Sequence, residues 1–79
     1  MKIFTFSIRP TGKMFVASMK TPTGRFVEKR FGNFYGQGKS SAQRWIDEKI
    51  AVIEEAVEIE GLAGCRVIQT HKDETRDIT

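Results

Sequence analysis

The chain has 79 residues with a net charge of +3, and 39% of them are hydrophobic and 29% charged. These values exclude a disordered chain and predict a single domain, residues 1–79, with one modest core. Its apolar runs are far shorter than the roughly 20 residues that a membrane span needs, and Cys65, which has no second cysteine to pair with, is typical of a reducing, cytoplasmic compartment.

Segments 2–9, 13–20 and 25–31 alternate in side-chain character and predict three β-strands. The tripeptide Pro-Thr-Gly follows the first strand at 10–12 and the second at 22–24. It predicts a three-residue hairpin loop in both places, because proline suits the second position of a type I turn and glycine suits the left-handed site that closes the loop. We therefore expect an antiparallel meander.

The predicted loops decide which side chains share a face of the meander. Phe4, Phe6 and Ile8 are expected to face the core, opposite Met14, Val16 and Ser18. The other face is expected to be exposed and to carry Thr5, Ser7, Arg9, Lys13, Phe15, Ala17, Met19, Arg25, Val27, Lys29 and Phe31. The third strand fits this arrangement poorly, because Phe26, Glu28 and Arg30 would then point to the core. A bulge in that strand and a half-exposed edge strand are both open.

A helix and a fourth strand are predicted after a glycine-rich loop at 32–41. Ser40 or Ser41 is expected to cap the helix, which runs from Ala42 to about Glu60 and ends at Gly61. Its apolar stripe has helical spacing and consists of Ile46, Ile50, Ile53 and Val57. Residues 65–70 predict the fourth strand, and 72–79 a frayed polar tail. The fold class is therefore α+β in the order βββαβ, a three-stranded antiparallel meander with one helix packed on one face.

The sequence lacks the residue patterns of common catalytic sites. Gly-Lys-Ser at 38–40 resembles the end of a phosphate-binding loop, but the first glycine of that motif would fall on Asn33. His71 and Cys65 are too few for a metal site and too far apart on one strand to act as a base and nucleophile. We predict no enzymatic activity, no cofactor and no metal.

Positive charge is concentrated at the front of the chain, where residues 1–49 carry +7 and residues 50–79 carry −4. Cations interleaved with aromatic side chains suit nucleic acid and also suit a protein interface. The candidate binding residues near the hairpins are Arg9, Lys13, Phe15, Arg25 and Lys29. Those at the junction of loop and helix are Phe34, Tyr35, Lys39 and Arg44. The acidic second half of the helix is also compatible with docking or dimerisation.

Two resemblances bear on function. Residues 12–50, with Phe31, Ala42 and Trp45, resemble the arm-site DNA-binding domain of tyrosine integrases, which is akin to the plant AP2 domain, with one residue fewer between Ala and Trp. This resemblance implies a sheet that enters a major groove with arginine and lysine side chains. In length, architecture and lack of catalytic residues, the chain is similar to small phage-encoded inhibitors, including anti-CRISPR proteins.

From these features we predict a small non-enzymatic binding protein, encoded by a phage or mobile element, that inhibits a host nucleic-acid-handling complex. Its partner would be a host protein or nucleoprotein complex, held by the basic, aromatic sheet face. The alternative is a sequence-specific DNA-binding module that uses the three-stranded sheet. Monomer and dimer both remain open.

Overall fold

The computed structural model describes residues 2–60 and 64–79 and contains five strands and one long helix. The elements are β1 (Lys2–Thr11), β2 (Met14–Lys20), β3 (Phe26–Gly32), α1 (Gly38–Glu60), β4 (Cys65–Gln69) and β5 (Glu74–Ile78). Two short 3₁₀ turns lie at Phe34–Gly36 and Thr70–Lys72. The predicted α+β class, the meander and the single helix are confirmed, but the sheet has one strand more than expected.

The five strands form one mixed sheet in the order β3-β2-β1-β4-β5. Strands β1, β2 and β3 are the antiparallel meander, whereas β4 lies parallel to β1. A parallel pair needs a long connection, and α1 provides it by carrying the chain from the β3 edge back across the sheet. Strand β1 is therefore central, with β2 and β3 on one side and β4 and β5 on the other.

The end of the chain forms strand β5, where the sequence predicted a frayed tail. Strand β5 pairs with β4 in antiparallel register, and Asp77 lies opposite Arg66. The Arg66 guanidinium donates to the Asp77 carboxylate across 2.8 Å, and Arg76 forms an ion pair with Glu54 of α1. The hairpin turn contains Asp73 with a φ of 54°, a left-handed conformation that aspartate tolerates better than most residues. Sequence patterning missed this strand because most of its side chains are exposed and polar.

The first hairpin has a two-residue loop, not the predicted three-residue loop. Thr11 pairs directly with Met14, and Pro10 remains within β1. Gly12 has a φ of +60° at the first central position of the turn, which is the position where a type II′ turn needs glycine.

The second hairpin has the predicted three-residue loop at 22–24. The backbone N–H of Thr21 donates to the carbonyl of Arg25 across 2.9 Å, and Gly24 takes a φ of +89°. The Thr21 hydroxyl also accepts a hydrogen bond from the Arg25 N–H, so a side chain as well as the backbone closes the loop. The residue before Pro10 is Arg9, which has no hydroxyl to do this. The same tripeptide therefore closes two different turns.

One residue less in the first loop reverses the predicted faces of β2 and β3. Phe15, Ala17 and Met19 share the β1 face of Phe6 and Ile8, while Met14, Val16 and Ser18 lie on the opposite face. Because the second loop is as predicted, Val27, Lys29 and Phe31 follow β2 to the helix side. The side chains of Phe26, Glu28 and Arg30 consequently belong to the face without the helix, and no bulge is required. We call this surface the open face.

The core lies between α1 and the sheet. Its buried residues are Phe6, Ala17, Ala42, Ile46, Ile50, Ile53, Val57, Cys65 and Val67. The predicted stripe of the helix, Ile46 to Val57, is therefore confirmed. The helix begins at Gly38, earlier than expected, and both proposed serine caps lie inside it. Instead, the side-chain oxygen of Asn33 accepts the Gly38 N–H across 3.0 Å. The predicted stop at Gly61 lies outside the described residues.

Candidate functional site: a basic end of the molecule

The nine candidate binding residues do not share one face. Phe15 packs against the core beneath the start of α1, and Lys29 lies on the helix side of the edge strand, 5.6 Å from the Phe31 ring centroid. Arg9 lies on the open face and binds Glu28 across 2.7 Å. Arg25 lies in the second turn, at the other end of the sheet. The sequence predicted that these residues share a basic face of the meander that the helix leaves bare. This prediction is wrong, because the shorter first loop places Phe15 and Lys29 on the helix side.

The remaining five candidates come from segments that meet at one end of the molecule. The first hairpin turn carries Lys13, whose carbonyl accepts the Asn33 N–H across 3.2 Å. This contact joins the turn to the segment after β3, where Phe34 and Tyr35 lie. The first two turns of α1 follow directly and carry Lys39 and Arg44.

A further cation reaches this end from β4. The Thr70–Lys72 turn follows β4, and the Thr70 hydroxyl donates to the Phe6 carbonyl across 3.3 Å. Lys72 then lines one surface cleft with Lys39 and Arg44. Sequence reasoning missed Lys72 because it assigned residues 72–79 to a frayed tail. We call the set Lys13, Phe34, Tyr35, Lys39, Arg44 and Lys72 the basic end.

The two aromatic side chains of the basic end are unusually exposed. Phe34 is 80% exposed and Tyr35 99%. Tyr35 also has a φ of 55°, a left-handed conformation that costs a non-glycine residue about 1–2 kcal/mol. Large apolar side chains held in water, one of them on a strained backbone, are typical of a surface that contacts a partner.

His71 connects the basic end to the helix and the sheet. Its Nε2 atom lies 3.0 Å from the side-chain oxygen of Gln43. The Gln43 amide nitrogen donates to Asp47 across 2.9 Å and to Gln69 across 3.2 Å. The pKa of His71 is lowered, first by burial of the imidazole and then by the nearby charges of Lys72 and Lys39, with a small opposing effect from Glu74. His71 is therefore neutral at pH 7.

The open face is polar and largely self-paired. Besides Arg9 and Glu28, it carries the Arg66–Asp77 pair, and the hydroxyls of Ser7 and Ser18 bond to each other. Asp77 has a lowered pKa because Arg66 donates a hydrogen bond to it. The exposed apolar residues of this face are Ile3, Met14 and Phe26.

Within residues 2–60 and 64–79, no group of three or more His, Cys, Asp or Glu side chains is placed to hold a metal ion. Over the same part of the chain, no helix has the length and apolar character to cross a membrane.

Comparison with known proteins gives no family model, no curated protein and no solved structure that matches the chain.

Proposed function

We propose that the chain is a non-enzymatic binding protein that contacts single-stranded nucleic acid through the basic end. The observation that supports this proposal is the meeting of four cations and two almost fully exposed aromatic side chains at one end of the molecule. Lysine and arginine neutralise phosphates, and aromatic rings stack on unpaired bases.

The charges of the basic end are available to a ligand. Among the described residues, the ion pairs involve Arg9, Arg66 and Arg76, and none involves a cation of the basic end. None of the four cations forms an ion pair there, and the group stays net positive although one carboxylate, that of Asp47, lines the same cleft. Such a cluster has its most favourable interaction with a polyanion.

Fluorescence anisotropy with a short single-stranded oligonucleotide, with hydroxyl groups at both ends, tests the proposal. Four phosphate contacts predict that affinity falls about 50-fold between roughly 50 and 200 mM salt. The variant Tyr35→Ala is expected to weaken binding by about tenfold through loss of base stacking. Replacing Lys13 and Arg44 with Gln should lower the salt slope by about 1.4, because two contacts are lost.

Arg25→Gln with Lys29→Gln is the matched control, since it removes the same charge from outside the basic end. This variant should bind almost as well as the original chain. Equal losses in the two double variants, or no binding at low salt, would contradict the proposal.

A second candidate function uses the open face. Its broad surface combines charged pairs with the exposed side chains of Phe26, Ile3 and Met14, and Phe26 is 56% exposed. An aromatic anchor surrounded by polar residues is typical of a protein interface. By this route the chain would inhibit a nucleic-acid-handling complex, as the likeness to small phage-encoded inhibitors implies. The variant Phe26→Asp should then abolish both inhibition of the complex and its capture, while Tyr35→Ala should not.

A further inference from the structure

A second cleft lies between the basic end and strands β1 and β2 and has a volume of about 310 Å³. Its lining residues are Ile8, Pro10, Phe15, Lys39, His71 and Lys72. Pro10 and Phe15 are opposite each other in the β1–β2 pair, and with Ile8 they form an apolar floor. Known ligand sites begin at about this volume and are typically apolar with a few placed polar groups.

Two lysines give this cleft its charge. Lys39 and Lys72 both line it, and both lie near enough to His71 to lower its pKa. Among the described residues neither lysine has an ion pair. A phosphate monoester carries a charge of about −1.5 to −2 at pH 7, whereas each phosphate within a strand carries one charge. Two lysines therefore match a terminal phosphate better than an internal one.

The hydrogen bonds of Gln43 determine the tautomer of His71. Asp47 can only accept a hydrogen bond, so the Gln43 amide nitrogen faces Asp47 and its oxygen faces His71. His71 must then carry its proton on Nε2, which leaves Nδ1 with a lone pair. Nδ1 is buried and has no hydrogen-bond partner among the described residues. Buried polar atoms are nearly always paired, so this nitrogen is an exception in a side chain that lines the cleft.

We propose that the cleft binds a nucleotide unit that carries a phosphate monoester. The phosphate lies between Lys39 and Lys72, beside the His71 ring, and the base or sugar packs on the apolar floor. This inference rests on the proposed function and deepens it, because it places the phosphorylated end of a strand in the cleft. A cleft of this size holds one terminal unit, while the rest of the strand follows the basic end.

Anisotropy and calorimetry with four probes test this inference. The probes are one oligonucleotide with a 5′-phosphate, the same strand with a 3′-phosphate, the strand with hydroxyl ends, and a free nucleoside 5′-monophosphate. At least one phosphorylated strand should bind about tenfold more tightly than the hydroxyl strand, which is the size of one charge-assisted contact. Measurable binding of the free nucleotide would support the same site and identify a second source for its ligand.

Two variants separate the cleft from the rest of the basic end. Lys72→Gln should remove the preference for a terminal phosphate, whereas the control Lys13→Gln should weaken all strands equally and keep the preference. In ¹⁵N spectra, the ring-nitrogen signals of His71 should shift when the phosphorylated strand binds, because the phosphate then lies beside the imidazole, and the hydroxyl strand should cause no such shift.

The two proposals fail in different ways. Equal binding of phosphorylated and hydroxyl strands, with the salt dependence intact, would overturn the cleft inference and leave the proposed function standing. No binding of any strand, together with no binding of the free nucleotide, would overturn both.

Discussion

Gly38 is the residue that lets the start of α1 lie against the sheet. A Cβ atom at this position would lie 2.8 Å from Cδ2 of Phe15 and 3.1 Å from the Asn33 Cα atom. The backbone atom is a firmer obstacle than the ring, because it belongs to the segment that caps the helix. Glycine is therefore required here by the close approach of Phe15, which also lines the cleft, and of Asn33.

Substituting Gly38→Ala should destabilise the protein by about 1–3 kcal/mol through overpacking. A loss of stability would be informative, because alanine is a better helix former than glycine by about 1 kcal/mol. Helix propensity alone would therefore make the variant more stable. Urea denaturation followed by Trp45 fluorescence measures the free energy of unfolding. Ser40→Ala, an exposed change two positions along the same helix, serves as the control and should have an effect within about 0.5 kcal/mol. A stabilised Gly38→Ala variant would show that the helix start does not pack in this way.

At the scale of elements, the first hairpin turn determines the orientation of two strands. Gly12 at positive φ closes a two-residue loop, and this length places Ala17 under α1 with no exposed surface. A three-residue loop would have turned Ala17 outward and placed Ser18 in the core. Ser18 instead lies on the open face, where it is buried against neighbours and bonded to Ser7.

The variant Ala17→Leu tests this register. Adding three carbon atoms under the helix should lower the free energy of unfolding by about 1–3 kcal/mol. Met14→Leu, on the open face of the same strand, should change it by less than about 0.5 kcal/mol. Thermal unfolding by circular dichroism can rank both variants. A neutral Ala17→Leu would mean that Ala17 faces solvent and that the predicted three-residue loop is right after all.

At the scale of the whole molecule, His71 joins parts that are far apart in the sequence. Through Gln43 it links the Thr70–Lys72 turn to α1, and Gln43 in turn contacts Gln69 at the end of β4. Because burial and the two lysines lower the pKa of His71 in the folded state, the unfolded chain binds a proton more readily. Folding therefore becomes coupled to pH through this one side chain.

The free energy of unfolding should fall as pH drops from about 7 toward 5.5. The unfolded chain begins to bind a proton near the ordinary histidine pKa of about 6.5, whereas His71 in the folded protein binds it only at lower pH. Calorimetric melting temperatures across this range measure the effect. His71→Gln should flatten the dependence, since it removes the titrating group. The Asp77 carboxylate, whose pKa is lowered by Arg66, should add a further loss only at more acidic pH. An unchanged pH profile in His71→Gln would show that another group is responsible.

Much of the fold could be predicted because the signals are local. Alternation identified the first three strands, and the spacing of Ile46, Ile50, Ile53 and Val57 identified the buried side of α1. Strand β5 gave no such signal, because it is a polar edge strand held by its pairing with β4 and by Arg76. For the site, the sequence indicated Lys13, Phe34, Tyr35, Lys39 and Arg44 by composition, without indicating that they meet.

Residue order alone decided the first four strands, the apolar side of the helix, and where positive charge and aromatic rings are concentrated. These properties depend on side chains a few positions apart, so they can be read without contacts. The tertiary structure decided the face that each strand presents, the parallel pairing of β4 with β1, and the arrival of Lys72 and His71 beside Lys39. A one-residue difference in a loop turns every side chain of the following strand to the other face of the sheet. Which loop length is adopted depends on packing against α1, an element more than twenty residues further along the chain.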